Sequence, residues 1–170
     1  MTPSPEYTEV EFPLLEQLSL MGWSHLAGDK YVPALTEREL FKQTLLESRL
    51  RAAIRRINTP HCPWLDDSHI TQAVNQFTRL PAGLHGLLAI NAHLTRLLLG
   101  GVQITGPENR GVTLQVVDYR DPDRNDFLAI NQFWVDPPGY TGGAGFIVPD
   151  VVLFVNGLPL VVIGVTLVPS

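Results

Sequence analysis

The feature that most limits how this chain can fold is an apolar run near its C-terminus, PDVVLFVNGLPLVVIGVT, residues 149–166. By length alone, the stretch 151–168 could cross a membrane. However, Asn156, Gly157 and Pro159 interrupt its middle, and valine and isoleucine are frequent on either side. Asn-Gly between apolar segments is a strong hairpin signal. The sequence therefore predicts two buried strands joined by a tight turn, and no membrane span.

Length and composition indicate one soluble, cytoplasmic domain. The 170 residues, of which 45% are hydrophobic, are enough for a single core, and we predict one domain over residues 1–170. Seventeen acidic and twelve basic residues give a net charge of −5, which argues against broad adhesion to nucleic acid but allows a local basic stripe. The single cysteine, Cys62, excludes an intrachain disulfide and suits a reducing cytoplasm. The N-terminus does not read as a signal peptide.

Helical patterns come first along the chain, and strand patterns follow. The first helix is predicted over Thr8–Met21, and the second over Glu37–Ile57 after a capping-box pattern at Thr36 and Glu39. A third helix follows Asp66–Ser68, and a fourth ends at Gly100 and Gly101. The segments GVQIT, VTLQVVDY and DFLAINQFWV alternate and are rich in β-branched and aromatic residues, as strands are. This order predicts the α+β class.

The predicted second helix carries a basic stripe. At 100° per residue, Arg38, Lys42, Arg49 and Arg56 fall within a sector of roughly 40°. The more ordinary interpretation is a solvated edge beside the core face. The sharper hypothesis is a surface that contacts the phosphates of a nucleic acid.

Several familiar site motifs are missing from the sequence. The five histidines form no H-x-x-x-H pair, no serine stands in G-x-S-x-G, and GYTGGAG lacks the lysine of a phosphate-binding loop. The segment DYRDPDRNDF has four aspartates but not the spacing of a calcium loop. A solvated turn with aspartate side chains bonded to nearby backbone is the better interpretation there.

Asp150 remains as the one candidate with an unusual position. An acid at the start of a buried strand costs free energy unless it is paired, hydrogen-bonded or bound to a metal. If the hairpin loop has three residues, Asp150 lies opposite Gly164, with Thr166 on the same face. A two-residue Asn-Gly loop places Ile163 opposite instead. Either register leaves Asp150 without a carboxylate or an amine on the facing strand.

These residues resemble the N-terminal nuclease region of the R (restriction) subunit of type I restriction enzymes. The similarity extends over nearly the whole chain and includes, in order, EVEFPLLEQLSLMGW, RINTPHCPWLDD, LLAINAHLTRLLLGGVQI, VVDYRDPDRNDFLAINQFWV and PDVVLFVNGLPLVVI. The resemblance implies a fold similar to the PD-(D/E)xK restriction-endonuclease core, a mixed sheet flanked by helices. It also implies double-stranded DNA as substrate and Mg²⁺ as cofactor.

The same resemblance implies a larger assembly. The family's subunit continues into ATP-driven motor domains and works with a methyltransferase subunit and a specificity subunit. No motor motif occurs in these residues, so ATP is expected only of domains outside this chain. The chain is then expected to be the N-terminal domain alone.

Transferred residue by residue, the resemblance places the family's metal-binding aspartate at Asp150. The family's glutamate and lysine, two residues apart on the next strand, correspond to Gly164 and Thr166, so the triplet reads GVT. A glutamate of the first helix often supports such sites, and Glu11 is the first candidate here, before Glu9. Without the glutamate and the lysine, we expect little or no nuclease activity. A docking module for DNA or the partner subunits, or a truncated remnant, is the alternative.

Overall fold

The computed structural model describes residues 10–81, 83, 85–137 and 145–164. Within these ranges the fold is α+β, as the sequence predicts. In chain order the elements are α1 (Phe12–Leu20), β1 (Ser24–Ala27), α2 (Glu47–Asn58), α3 (Asp67–Thr78), α4 (Leu87–Gly100), β2 (Val102–Thr105), β3 (Gly111–Leu114), β4 (Phe127–Asn131), β5 (Val151–Val155) and β6 (Leu158–Ile163). They belong to two compact units, which we call the sheet unit (1–46 with 126–170) and the arginine unit (47–125).

The sheet unit is built on a four-stranded mixed sheet in the order β1-β4-β5-β6. Strand β1 runs parallel to β4, and the other neighbours are antiparallel. Because side chains alternate between the two faces of a strand, the sheet has two distinct apolar surfaces. Helix α1 covers the surface that contains Ala129 and Val151. The opposite surface contains Val152 and Phe154 and packs against Leu46.

The predicted hairpin is present and turns on two residues. Asn156 and Gly157 have φ angles of 54° and 79°, and positive φ at two consecutive turn residues is the geometry of a type I′ turn. Glycine adopts such a φ at no steric cost, and asparagine is among the few other residues that tolerate it. The closing strand β6 lies at one edge of the described sheet.

The predicted second helix is wrong over its first ten residues, because α2 begins only at Glu47. Thr36 ends a short 3-10 helix, and its hydroxyl donates to the carbonyl of Pro33 (2.9 Å) instead of capping a helix. Glu37 has a φ of 58°, which is left-handed. The Gln43 side chain then accepts from the backbone N–H of Glu39 (2.8 Å), which is an alternative to helical hydrogen bonding.

The arginine unit contains α2, α3, α4 and the antiparallel pair β2-β3. Helix α3 begins as predicted, because the Asp66 carboxylate accepts from the His69 backbone N–H (3.0 Å). The predicted strand VTLQVVDY is shorter than expected and ends at Leu114. The Asn58 side chain bonds to the backbone N–H and C=O of Gln115, each at 2.8 Å, where a neighbouring strand would otherwise pair. No helix of the described residues is long and apolar enough to cross a membrane.

Candidate functional site

Asp150 lies half-buried immediately before β5. Its backbone carbonyl accepts a hydrogen bond from the backbone N–H of Gln132 (2.9 Å), the residue that follows β4. The antiparallel pairing of Asn131 with Val151 explains this contact, because the end of β4 meets the start of β5. Asp150 is therefore held at one end of the sheet, at the boundary between a strand and a loop.

The hairpin register combines the two alternatives that the sequence left open. Next to the turn, Val155 pairs with Leu158, as a two-residue loop requires. A bulge on β6 then shifts the register, so that Val151 pairs with Ile163, as in the three-residue alternative. Continued by one residue, this register places Gly164 opposite Asp150. The facing position, which the resemblance predicts as the place of the family's glutamate, thus offers no side chain. Thr166 lies outside the described residues.

Glu11 precedes α1 and is buried, with 4% of its surface exposed. Its Oε1 accepts from Nε2 of Gln132 at 3.4 Å, a long hydrogen bond. Gln132 thus contacts Glu11 through its side chain and Asp150 through its backbone. The second candidate, Glu9, lies outside the described residues.

Glu11 and Asp150 do not form a complete metal site with the other described residues. In the described ranges, no three side chains of His, Cys, Asp or Glu stand close enough to hold one ion. Because side chains alternate along β5, position 150 belongs to the same face of the sheet as Val152 and Phe154. Helix α1 packs on the opposite face, which contains Val151. Gly164 supplies no side-chain donor. A hard cation such as Mg²⁺ takes oxygen ligands in octahedral geometry, and the described acidic side chains do not supply that set by themselves.

Sequence reasoning did not predict a site role for the two polar residues at the end of β4, Asn131 and Gln132. The Asn131 Oδ1 lies 2.8 Å from Nε2 of His25 on β1. Gln132 has a φ of 53°, which ends β4 and explains why the predicted strand DFLAINQFWV stops early. The backbone of Gly28 packs so closely here that an added Cβ would lie 1.9 Å from the Gln132 carbonyl oxygen. The N-Q dipeptide inside an apolar strand pattern was the available signal.

The basic stripe does not exist as one helical face, since Arg38 and Lys42 precede α2. Arg38 is 4% exposed, and its Nε donates to the Thr36 hydroxyl (2.8 Å). Its guanidinium carbon lies 3.7 Å from the ring centroid of Phe133. Burial lowers the pKa of Arg38 to about 10, partly offset by the charge of Asp136. Arg38 therefore stabilises the sheet unit internally, and the role of Lys42, Arg49 and Arg56 in binding nucleic acid stays a prediction.

The aspartate-rich segment forms the solvated turn that the sequence favoured over a calcium loop. Oδ1 of Asp118 accepts from the backbone N–H groups of Arg120 (3.1 Å) and Asp121 (3.0 Å). Oδ2 of Asp118 lies 3.3 Å from Nη1 of Arg124. The pKa of Asp118 is lowered, chiefly by the bond from the Asp121 backbone, because these contacts favour the ionised form.

Comparison with known proteins decides the family. Residues 4–164 match the family described as "Type I restriction enzyme R protein N terminus". The chain belongs to this family. The resemblance seen in the sequence is thereby confirmed, together with the assignment of the chain to the N-terminal domain of an R subunit.

Two relatives are named as endonuclease subunits. One, from Methanocaldococcus jannaschii, is assigned by name to the type I restriction enzyme MjaIXP as its endonuclease subunit. It is 27% identical to this chain over 159 residues, which cover 90% of this chain and 14% of the relative. The other, the type I restriction enzyme HindI endonuclease subunit of Haemophilus influenzae, is 29% identical over 161 residues, 91% of this chain and 14% of the relative. The chain thus spans about one-seventh of the length of these relatives.

Proposed function

We propose, first, that this chain is the nuclease-type domain of an R subunit that acts on double-stranded DNA in a restriction-modification system, together with methyltransferase and specificity subunits. We propose, second, that the cleavage activity of this domain is impaired. Family membership supports the first part. The second part depends on one observation: the hairpin pairs Val151 with Ile163, and this register, continued by one residue, sets Gly164 opposite Asp150. Asp150 and, less directly, Glu11 are the acidic residues left for a metal, and Mg²⁺ is the metal that the resemblance implies.

The impairment follows from what the triplet lacks. In metal-dependent hydrolysis, a bound ion activates water and stabilises the charge that develops on the phosphate. Replacing the family's glutamate by Gly164 removes an oxygen donor, and Thr166 at the lysine position removes a positive charge. Single losses of transition-state stabilisation commonly cost on the order of 10²–10³ in rate. We expect the two losses together to leave cleavage too slow to detect in an ordinary assay.

The test is to restore the triplet. The double variant Gly164→Glu, Thr166→Lys is incubated with plasmid DNA and Mg²⁺ or Mn²⁺, alongside the unchanged chain. We expect nicking or linearisation by the double variant, none by the unchanged chain, and none after Asp150→Ala is added to the double variant. Robust cleavage by the unchanged chain that Asp150→Ala abolishes would show that the triplet is dispensable and would refute the impairment.

A control separates loss of chemistry from loss of structure. Gly164 has open space beside it within the described part of the chain, because a Cβ added there meets no described atom within 4 Å. The variant Gly164→Gln, combined with Thr166→Lys, therefore has the same steric demand as the restored triplet but no carboxylate. It should fold as the unchanged chain does and remain inactive. Cleavage by the glutamine variant would contradict a metal-binding role for position 164.

The second candidate function is a non-catalytic module that contacts DNA. The distribution of charge favours it. Nine of the twelve basic residues lie in the arginine unit, and all nine are arginines. Arginine is well suited to phosphate because its planar guanidinium offers several fixed donors. If the restored triplet fails to cut DNA but the unchanged chain binds it, this second candidate replaces the first.

A further inference from the structure

The two units differ strongly in charge. The arginine unit has nine basic and seven acidic residues, whereas the rest of the chain has three basic and ten acidic residues. The net charge of −5 thus conceals a unit with a small positive charge. Positive charge concentrated in one part of a protein is a common footprint of nucleic-acid binding.

The arginine unit contains a cleft of about 440 Å³. Its volume is in the range of about 300–1,000 Å³ that is typical of sites for small molecules. It lies between the end of α2 and the segment that follows β3. Its lining combines apolar, amide, charged and aromatic side chains: Ile57, Asn58, His61, Gln115, Val117, Asp118, Tyr119, Arg120, Asp121 and Arg124.

A pair of arginines fixes the wall of this cleft. Nε of Arg56 donates to the carbonyl of Arg124 (2.8 Å), and Nη2 of Arg124 donates to the carbonyl of Arg56 (2.6 Å). Arg124 also pairs with Asp118, whose carboxylate already accepts two backbone N–H groups. Asp118 is therefore satisfied internally. This leaves Arg120 and His61 as the cationic or donor side chains best able to turn to a ligand.

The rim of the cleft presents an aromatic ring. Tyr119 is 57% exposed, yet its hydroxyl donates to the carbonyl of Leu98 (3.2 Å), which restricts the position of the ring. An exposed ring held in place beside arginines is the combination by which proteins bind unpaired nucleotides, through stacking and phosphate contacts. Stacking is independent of the nuclease hairpin and requires a base that is not paired.

We propose that this cleft binds an unpaired nucleotide of DNA, with the base stacked on Tyr119 and the phosphodiester contacted by Arg120. Asn58 and Gln115 bond to each other through side chain and backbone, so they shape the wall. Asp121 is the acidic side chain that a phosphate would meet here. The negative charge of Asp121 should therefore oppose binding, so a variant that removes this charge should bind more tightly. The inference rests on the proposed function only in taking DNA as the ligand.

The test measures fluorescence anisotropy of a short labelled oligothymidylate, with a blunt duplex of equal length for comparison. We expect the single strand to bind more tightly than the duplex. Tyr119→Ala should weaken binding about tenfold or more, whereas Tyr119→Phe, which keeps the ring and loses only the hydrogen bond to Leu98, should weaken it much less. Arg120→Gln should weaken binding and make the slope of log affinity against log salt shallower by about 0.7. Asp121→Asn should tighten binding.

The matched control is Arg110→Gln. Arg110 is an exposed arginine of the same unit and pairs with Glu108 at 2.8 Å, outside the cleft. The variant Arg110→Gln should leave the affinity for the single strand and the slope of log affinity against log salt nearly unchanged. An equal loss with Arg110→Gln, equal binding by Tyr119→Ala and the unchanged chain, or tighter binding of the duplex would overturn the proposal. If single-strand binding is absent while the restored triplet cuts plasmid DNA, the cleft proposal falls and the proposed function stands.

Discussion

Asn156 offers the sharpest test of how the hairpin is stabilised. The side chain is fully buried, and its Oδ1 accepts from the backbone N–H of Asp126 (2.8 Å). The backbone N–H of Asn156 in turn donates to the Asp126 carbonyl (2.8 Å). The residue also has a φ of 54°, as the type I′ turn requires. Asn156 thus combines a buried hydrogen bond with a backbone conformation that most residues avoid.

The variant Asn156→Ala should lose two contributions to the free energy of unfolding. Removing the Oδ1 leaves the Asp126 N–H without this acceptor, at a cost of about 1–3 kcal/mol. Alanine in the left-handed region costs about 1–2 kcal/mol more. The expected loss is therefore about 2–5 kcal/mol, a large share of the 5–15 kcal/mol that is typical of a folded protein. Asn156→Gly should lose less, because glycine accepts a positive φ without strain.

The measurement is urea unfolding followed by tryptophan fluorescence and far-ultraviolet circular dichroism. The expected order of stability is the unchanged chain first, then Asn156→Gly, then Asn156→Ala. Asn91→Ala, at an exposed position of α4, serves as control and should not lower stability. If Asn156→Gly equals the unchanged chain, the side-chain hydrogen bond contributes nothing. If Asn156→Ala equals Asn156→Gly, the backbone argument fails.

Two further predictions concern stability. Gly28→Ala should lower the free energy of unfolding by about 1–3 kcal/mol, because the added Cβ would lie 1.9 Å from the Gln132 carbonyl oxygen. The control is Gly111→Ala, whose Cβ meets no described atom within 4 Å and which should have little effect in the same urea assay. The contacts of Asp66 and Asp118, led by backbone hydrogen bonds, lower the pKa of each carboxyl below its ordinary 3.8. The two ionised carboxylates should therefore contribute fully to the stability of the fold above pH 3.8, and this contribution should be lost as the pH falls below that value. The measurement is the midpoint of thermal unfolding as a function of pH, and a midpoint that does not fall on acidification would contradict this account.

The local signals of the sequence were sufficient for the elements with clear boundaries. Asn156 and Gly157 mark the hairpin turn through their own backbone geometry, and Asp66 marks the start of α3 through a side-chain bond to the nearby backbone N–H of His69. The α+β class and the end of α4 at Gly100 followed in the same way. Such signals depend on neighbours in the chain and therefore can be read without the fold.

The predictions that failed depended on contacts with distant residues. Thr36 and Glu39 have the spacing of a capping box, but the Thr36 hydroxyl donates to the carbonyl of Pro33, which precedes it in the chain. The segment from Glu37 to Leu46 is not helical. Leu46 is buried against Phe154, more than a hundred residues later. Strand β1 was not predicted, because it has only four residues and most of them are exposed. Its pairing with β4 is what defines it as a strand.

The candidate site divides in the same manner. The sequence by itself indicated the family, which is confirmed. It also predicted Asp150 as the metal ligand, with Gly164 and Thr166 at the positions of the family's glutamate and lysine, because residue identity decides which chemical groups are present. Only the tertiary structure decided that a bulge restores Gly164 to the position opposite Asp150 and that Gln132 joins Glu11 to the end of the sheet. It also moved Arg38 from a predicted DNA surface into the interior. The reason is physical: register and burial depend on which strands and side chains meet, and those partners lie far apart in the chain.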